Sequence, residues 1–584
     1  TPRSSSAASD VYKRQAQTLA LKYYHQTNRL EDLEASVATY QLASQLIRQI
    51  RSGYKAEDSK LFIAERAAGI YDQAIQTTRQ LFRVTNNPVY QAKTFEFAEK
   101  SKGKIFLEAM IEAKAKSFSG LPDSLLNREK QLRIDLAFYE RKLSEVQLNI
   151  GIPNASGIEV WQNKVFDLKQ TYYDLLEQFE NDYPAYYRLK YELETTSIEE
   201  IQIQLLDANT VLIEYFLGKD SIFIFTITPD QYLVTSTSRP VTLKEQISSL
   251  RTAITQQDIE RFIKNAYQVY QTLLAPVNDV IENKNLIIIP EGVLNLIPFE
   301  ALLTGNSIDY IGIKDYRKLP FLVKTNEISY SYSATLLLET MKNRKPKAQQ
   351  QYLAYAPVFS GGIPQGTRGA AFIDANRAVD STRGFNSTYL PASKDEVLGI
   401  KDVFIQKAGF FNRIFGGPAD VLLENEANED QLKSQRVDEY RYVHFATHGL
   451  INETNPQLSG LVLAQDSTLA EDGILYLGEV YNLNLNADLV VLSACETGLG
   501  KIARGEGLIG LTRGFLYAGA QNLLVSLWQV NDASTSQLMI DFYRNMLNGE
   551  SKPTALREAK LALIENDPKY AGPYYWAPFV LIGK

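Results

Sequence analysis

Between about Ala16 and Glu200, apolar residues recur three and four positions apart, with breaks only at Asn86-Asn87-Pro88, Ser119-Gly120-Leu121-Pro122 and Gly151-Ile152-Pro153-Asn154. That is the pattern of amphipathic helices joined by short turns. A Tyr-x-x-Ala unit returns as Tyr40/Ala43 and Tyr71/Ala74, with Phe95/Ala98 as a looser echo, at intervals of 31 and 24 residues. These intervals miss the 34-residue tetratricopeptide period, so degenerate repeats of that kind and a plain helical bundle both account for the pattern. Residues 124–200 read as two longer antiparallel helices joined by a turn at 151–157, an arm leading into the next region. At Val211 the period falls to two. VLIEYFL, SIFIFTI and YLVTSTS, separated by Gly218-Lys219-Asp220 and Thr228-Pro229-Asp230-Gln231, predict three strands of an antiparallel meander. A helical stretch over 243–274 and the apolar strand Leu286–Pro290 then open a region where strands alternate with helices, an α/β signature. The Gly, Arg, Ser and Asn-rich tract at 360–388 predicts a long flexible loop, entered from a short strand around Tyr352–Ala356.

The expected architecture is therefore α + α/β: an all-α array over 16–200, then an α/β domain over 205–584 with a mostly parallel sheet and an antiparallel start. The first fifteen residues, TPRSSSAASDVYKRQ, begin without Met and resemble translated adapter sequence. They are set aside from fold reasoning, and export therefore stays open.

Composition narrows the classes. With 45% hydrophobic and 22% charged residues in 584, the chain buries more than one core and wholesale disorder is excluded. A net charge of −7 argues against direct nucleic-acid binding and against an anionic-membrane footprint. No apolar run reaches the roughly 18–20 residues of a membrane span. Cys495 is the only cysteine, so there is no intrachain disulfide and no multi-thiolate metal site, and a reducing, cytoplasmic setting is the expectation.

The candidate chemistry lies in YRYVHFATHG (Tyr440–Gly449) and DLVVLSACETG (Asp488–Gly498), each an apolar strand that ends in a small-residue turn bearing a reactive side chain. In an open parallel sheet, groups at the carboxyl ends of neighbouring strands converge on one crevice. His448 and Cys495, 47 residues apart, can therefore meet there. A cysteine nucleophile needs an imidazole to take its proton and N–H donors for the oxyanion, and the Gly449 and Cys495 amides are the candidates for the donors. His444 and His448 are four apart, but in a strand that separation is about 13 Å, too far to share an ion, and no metal is expected. Gly505-Glu-Gly507-Leu-Ile-Gly510 matches a dinucleotide fingerprint. The ten residues between strand and first glycine break that motif's tight turn, and no cofactor is expected.

The segments HFATHG, LVVLSACETG, GEGLIGLTRGFLYAGAQNLLVSLWQVND, PYYWAPFVLIG, LIIIPEGVLNLIPFEALL, ISYSYSATLLL and LPASKDEV resemble the CHAT family of caspase-related peptidases over roughly 205–584. Members of that family commonly carry tetratricopeptide repeats upstream. The resemblance implies a cysteine endopeptidase of the caspase, separase and gingipain clan acting on protein substrates. It makes His448 the general base and acid, Cys495 the nucleophile, and the Gly449 and Cys495 amides the oxyanion hole, with His444 supporting His448. It also implies a regulatory protein partner bound through the helical repeats. The substrate pocket it implies lies between Pro290-Glu291-Gly292 and Trp528–Asp532. Glu291 or Asp532 there favours a basic residue before the scissile bond, unless Asp532 only caps the helix that follows. The alternative is a catalytically silent interaction scaffold with the same fold.

Overall fold

The computed structural model describes residues 2–118, 120–147, 158–191, 195–342, 350–359, 390–408, 419–453, 455–465, 471–494, 497–503 and 506–584. The 151–157 turn, the 360–388 tract and Cys495 lie outside the described residues. The chain opens with helices α1 (Pro2–Lys22), α2 (Leu30–Ser52), α3 (Glu57–Thr85), α4 (Pro88–Lys100) and α5 (Lys104–Phe118). Helix α1 thus includes most of the adapter-like stretch, and Asp10 within it pairs with Arg66 at 3.0 Å. The Asn86-Asn87-Pro88 break works as expected from its residue types. Asn86 takes a left-handed backbone (φ 53), Asn87 accepts the Val89 N–H at 3.1 Å, and Pro88 starts α4. Tyr40, Ala43, Tyr71, Ala74, Phe95 and Ala98 are all buried. The repeated unit marks three successive helices, once per helix rather than once per hairpin, and this accounts for its missed period. The arm follows as α6 (Asp123–Gln147), α7 (Ile158–Asp182), α8 (Pro184–Tyr191) and α9 (Ile198–Gln204).

The α/β part contains, in order, β1 (Thr210–Leu217), β2 (Ser221–Ile227), β3 (Tyr232–Ser238), α10 (Leu243–Thr255), α11 (Ile259–Leu273), β4 (Asn285–Ile289), β5 (Ile328–Tyr330), α12 (Ala334–Lys342) and β6 (Gln350–Ala356). Then come α13 (Pro391–Lys407), β7 (Ala419–Leu423), β8 (Tyr440–Phe445), β9 (His448–Leu450), β10 (Gly460–Val462), β11 (Ile474–Tyr476) and β12 (Leu489–Leu492). It ends with β13 (Lys501–Ala503), β14 (Gly507–Ile509), α14 (Leu511–Ala518), β15 (Leu523–Ser526), α15 (Asp532–Leu547), α16 (Lys552–Asn566) and β16 (Phe579–Ile582). Eleven strands form one sheet in the order β3-β2-β1-β4-β5-β16-β15-β12-β8-β6-β7. The meander pairs are antiparallel and most of the rest are parallel. Strand β16 is the exception that matters, because it runs parallel to β5 and antiparallel to β15. It divides the sheet into two parallel halves of opposite sense. The carboxyl ends of β4 and β5 therefore face one edge, and those of β6, β8, β12 and β15 face the other.

Alternation in the strands divides their side chains between two cores. Val211, Ile213, Tyr215, Ile222, Ile224, Leu286 and Ile288 join the core under α5, α10 and α11. Leu212, Phe216, Phe223, Phe225, Ile287 and Ile289 meet Tyr71, Ala74, Ile75, Phe95 and Ala98 of the helical array. The array and the sheet thus share a core. No described helix is long and apolar enough to cross a membrane.

Candidate active site

Strands β8 and β12 are neighbours, parallel and in register, with Phe445 opposite Leu492. The ladder runs one step further, as the Ser493 N–H donates to the Phe445 carbonyl at 2.9 Å. The two segments that carry His448 and Cys495 thus leave adjacent strands at the same edge. The run read as one strand is interrupted. β8 stops at Phe445, Ala446 and Thr447 turn the chain, and His448 opens β9 in a separate three-stranded sheet with β10 and β11. The Thr447 hydroxyl, which donates to the Val462 carbonyl, pins the turn. His448 lies opposite Val462, and Gly449 opposite Leu461. The His448 imidazole is buried and stacked on Phe359, with ring centroids 5.2 Å apart. Phe359 reaches it because Val358 and Phe359 both take left-handed backbone (φ 60 and 53), a conformation a β-branched residue adopts only when its surroundings hold it there.

Cys495 itself is outside the described residues, but its flanks are well anchored. The Thr497 hydroxyl donates to the Leu492 carbonyl at 3.1 Å and accepts the Ser526 N–H at 3.2 Å. The Ser526 hydroxyl donates to the Ala494 carbonyl, and the Gly498 N–H donates to the Ser526 carbonyl at 2.7 Å. Ser526, at the carboxyl end of β15, thus holds Ala494 and Thr497, the described residues on either side of Cys495.

His444 is expected to support His448, and its ring has partners of its own. It sits in β8 with its ring fully buried on the α13–α15 side of the sheet, Nε2 2.8 Å from Glu396 and Nδ1 3.4 Å from the Tyr543 hydroxyl. Glu396 and Tyr543 are partners that the sequence reading did not assign. Glu396 lies within the LPASKDEV segment, but nothing in that segment marks which carboxylate turns inward.

The three pocket candidates separate. Glu291 follows β4, so it belongs to the edge facing away from His448. It is buried, with Oε2 accepting the Leu217 N–H at 2.6 Å. Its assignment to the substrate crevice is corrected on both counts: the reversal at β16 moves it away, and its carboxylate closes the end of β1. Trp528 follows β15 on the His448 edge but is buried, its indole N–H donating to the Tyr574 carbonyl at 3.1 Å and the Arg251 guanidinium 5.9 Å from its ring. Asp532 opens α15, and the cap is its neighbour Asn531, which accepts the Ser534 N–H at 3.1 Å. The Asp532 carboxyl is half-buried, and burial, aided by the Glu396 charge, pushes its pKa up to about 6. A cavity lined by Asn295, Tyr332, Gly498 and Leu527 lies beside the Thr497–Gly498 turn.

Glu429, Glu471 and Glu479 bring three carboxylates within 4.8 Å of one another. Lys433 lies among them, 2.7, 2.8 and 2.9 Å from the three, and Arg141 is 3.8 Å from Glu479. Arg141 of the arm reaches the same group through Asp472 at 3.3 Å, so the cluster docks α6 onto the β10–β11 connection.

Tetratricopeptide repeat protein 28 of Homo sapiens is 27% identical over 354 residues, which cover 54% of this chain and 13% of that protein. The Mus musculus protein of the same name is 25% identical over the same lengths. The chain thus spans about one eighth of the curated relatives it matches. Among solved structures, the Saccharomyces cerevisiae separase–securin complex aligns over 98% of this chain and 52% of that chain, with a TM-score of 0.36 and 10% identity. The Porphyromonas gingivalis RgpB pro- and mature domains align over 58% of this chain and 71% of that chain, with a TM-score of 0.30 and 10% identity. Residues 264–584, more than half the length, match the CHAT domain, and the chain belongs to that family.

Proposed function

We propose that the protein is a cysteine endopeptidase in which His448 and Cys495 form a dyad that hydrolyses peptide bonds in protein substrates. The observation that carries this reading is the placement of β8 and β12 as adjacent, parallel, registered strands, whose carboxyl ends lead within three residues to His448 and to Cys495. His448 takes the thiol proton, and the thiolate attacks the scissile carbonyl. The Gly449 and Cys495 amides hold the oxyanion. His448 then returns the proton to the leaving amine, and water resolves the acyl-enzyme. Asp532 on the same edge favours a basic residue before the scissile bond, by charge pairing. Protein binding to the helical array regulates the site, a reading supported by the core that array and sheet share.

The test is covalent labelling by peptidyl acyloxymethyl ketones carrying Arg, Lys, Leu or Asp at the reactive position, in wild type, Cys495→Ala and His448→Ala. Labelling that needs both residues and prefers Arg or Lys is the expected result. Labelling indifferent to His448 refutes the dyad. No labelling with any probe, even with cell extract added, points to the silent scaffold.

A further inference from the structure

The connector between α4 and α5, Ser101-Lys102-Gly103, is clamped into the α/β part by buried polar contacts. At the end of α4, the Glu99 carboxylate accepts the Ala334 N–H at 2.7 Å and the Thr335 N–H at 3.3 Å, capping α12. Lys102 pairs with Glu214 of β1 at 2.7 Å. On the far side, both oxygens of Glu506 accept the Ile105 N–H of the first turn of α5, at 3.1 and 3.2 Å.

Glu506 differs from the other two clamps in where it stands. It lies eleven residues beyond Cys495, directly before β14. It is 2% exposed and its Oε2 is 3.3 Å from Arg513, whose guanidinium also donates to the Glu506 carbonyl and lies 5.5 Å from the Phe106 ring of α5. The segment it anchors cannot shift independently of Thr497–Gly500, which follow Cys495 in the chain. A Cβ on Gly500 would stand 2.2 Å from the Ile509 carbonyl oxygen, and one on Gly510 2.6 Å from that of Leu499. The Leu499–Gly500 backbone before β13 and the Ile509–Gly510 backbone before α14 therefore touch. The same unit rests on Tyr332, whose hydroxyl is 2.6 Å from that of Thr512 and whose ring packs edge-on to Phe106.

We infer that Glu506 is a positioning residue: by binding the first turn of α5 and Arg513 together, it fixes the β13–β14 pair and the Thr497–Gly500 turn, and so makes reactivity at Cys495 depend on the docked helical array. This rests on Cys495 being the nucleophile. The α5 N-terminus gives the carboxylate a favourable dipole and a second donor beside Arg513. Displacing α5 would leave Glu506 and the segment it holds with one fewer fixed point.

The test uses the full chain and the variants Glu506→Ala, Glu506→Gln and Glu99→Gln, the last disturbing the same connector at its α12 end. Cys495 is the only thiol, so intact-mass alkylation reports that residue alone. Glu506→Ala is expected to slow labelling by the preferred peptidyl ketone at least tenfold, while iodoacetamide, which needs no ordered site, reacts within threefold of wild type. Glu506→Gln, which keeps an acceptor for the Ile105 amide, recovers part of the loss, and Glu99→Gln stays within threefold. Labelling losses that follow melting temperature across all three variants overturn the inference, as does wild-type labelling in Glu506→Ala. If wild type is not labelled by any ketone, the peptidase reading has failed and hydrogen exchange decides the linkage by itself. Faster exchange in Glu506→Ala over both 104–112 and 497–503 supports it, and a change confined to α5, or none, refutes it.

Discussion

At the residue scale, His448 and Cys495 stand out in the sequence because each follows an apolar strand and is flanked by small residues. Glu291 was misread because its neighbourhood looks identical in sequence, an apolar strand followed by Pro-Glu-Gly. What distinguishes it, the direction of β4 relative to β12, is set by strand pairing hundreds of residues apart. Asp532 opens the helix that follows β15 and carries a pH prediction. Its carboxyl titrates near 6, raised by burial and by Glu396, so it is neutral below that pH and anionic above. The ratio of labelling by an Arg probe to that by a Leu probe, in which the dyad's own titration cancels, should rise as pH passes upward through about 6. In Asp532→Asn the ratio should be flat. Stability carries the opposite sign. A carboxyl whose pKa is higher folded than unfolded loses stability as pH rises from its ordinary range through 6. The melting temperature of Asp532→Asn should therefore gain on wild type between pH 4 and 7, and a constant difference would show that Asp532 is not held in this environment.

At the element scale, the helices, the meander and the alternating region were readable because period and turn chemistry are local. That His448 opens a further strand after the turn was not, since the partner of that strand, β10, lies beyond it in the chain. What turns the chain is a hydroxyl bond to Val462 and the pairing of β9 with β10. The meander held a stronger clue. Glu214 stands alone in VLIEYFL, a strand buried on every residue, and a lone carboxylate there requires a partner. That partner is Lys102, with both side chains at most 3% exposed. Burial pushes the Glu214 carboxyl up and the Lys102 charge opposes the shift. Lys102→Met should cost about 3–5 kcal/mol, the usual cost of leaving one member of a buried pair uncompensated. Lys102→Met combined with Glu214→Leu should recover most of it, as paired removal of a buried charge pair often does. Urea unfolding of the four proteins in the cycle provides the coupling, and additive single losses would mean that the two charges do not interact.

At the scale of the whole molecule, the family match begins at residue 264, inside α11, yet the sheet to which that region belongs begins at Thr210. A chain starting at 264 would open β4 along Asn285–Ile289, where β1 pairs with it, and an apolar edge of that kind invites aggregation. A chain starting at 205 closes that edge but loses the array's share of the core that holds Phe216, Phe225, Ile287 and Ile289. The array is tied to this face by more than apolar contact. Asp72 accepts the Lys219 N–H at 2.9 Å, Gln91 donates to the Tyr232 carbonyl at 2.8 Å, and the Phe95 ring meets those of Phe225 and Tyr232, each at 6.1 Å. The sequence showed two regions with a change of period between them, and from that alone an independent repeat domain followed by an independent α/β domain is the natural picture. The shared core argues instead for one cooperative unit, because neither part completes its interior alone. Calorimetry on the full chain should show a single transition. Residues 205–584 expressed alone should bind a hydrophobic dye and lose the near-ultraviolet signal of packed aromatic rings. If that fragment instead melts at the temperature of the full chain with its aromatic signal intact, the array is an appendage, and any control it exerts on Cys495 must pass through the α4–α5 connector alone.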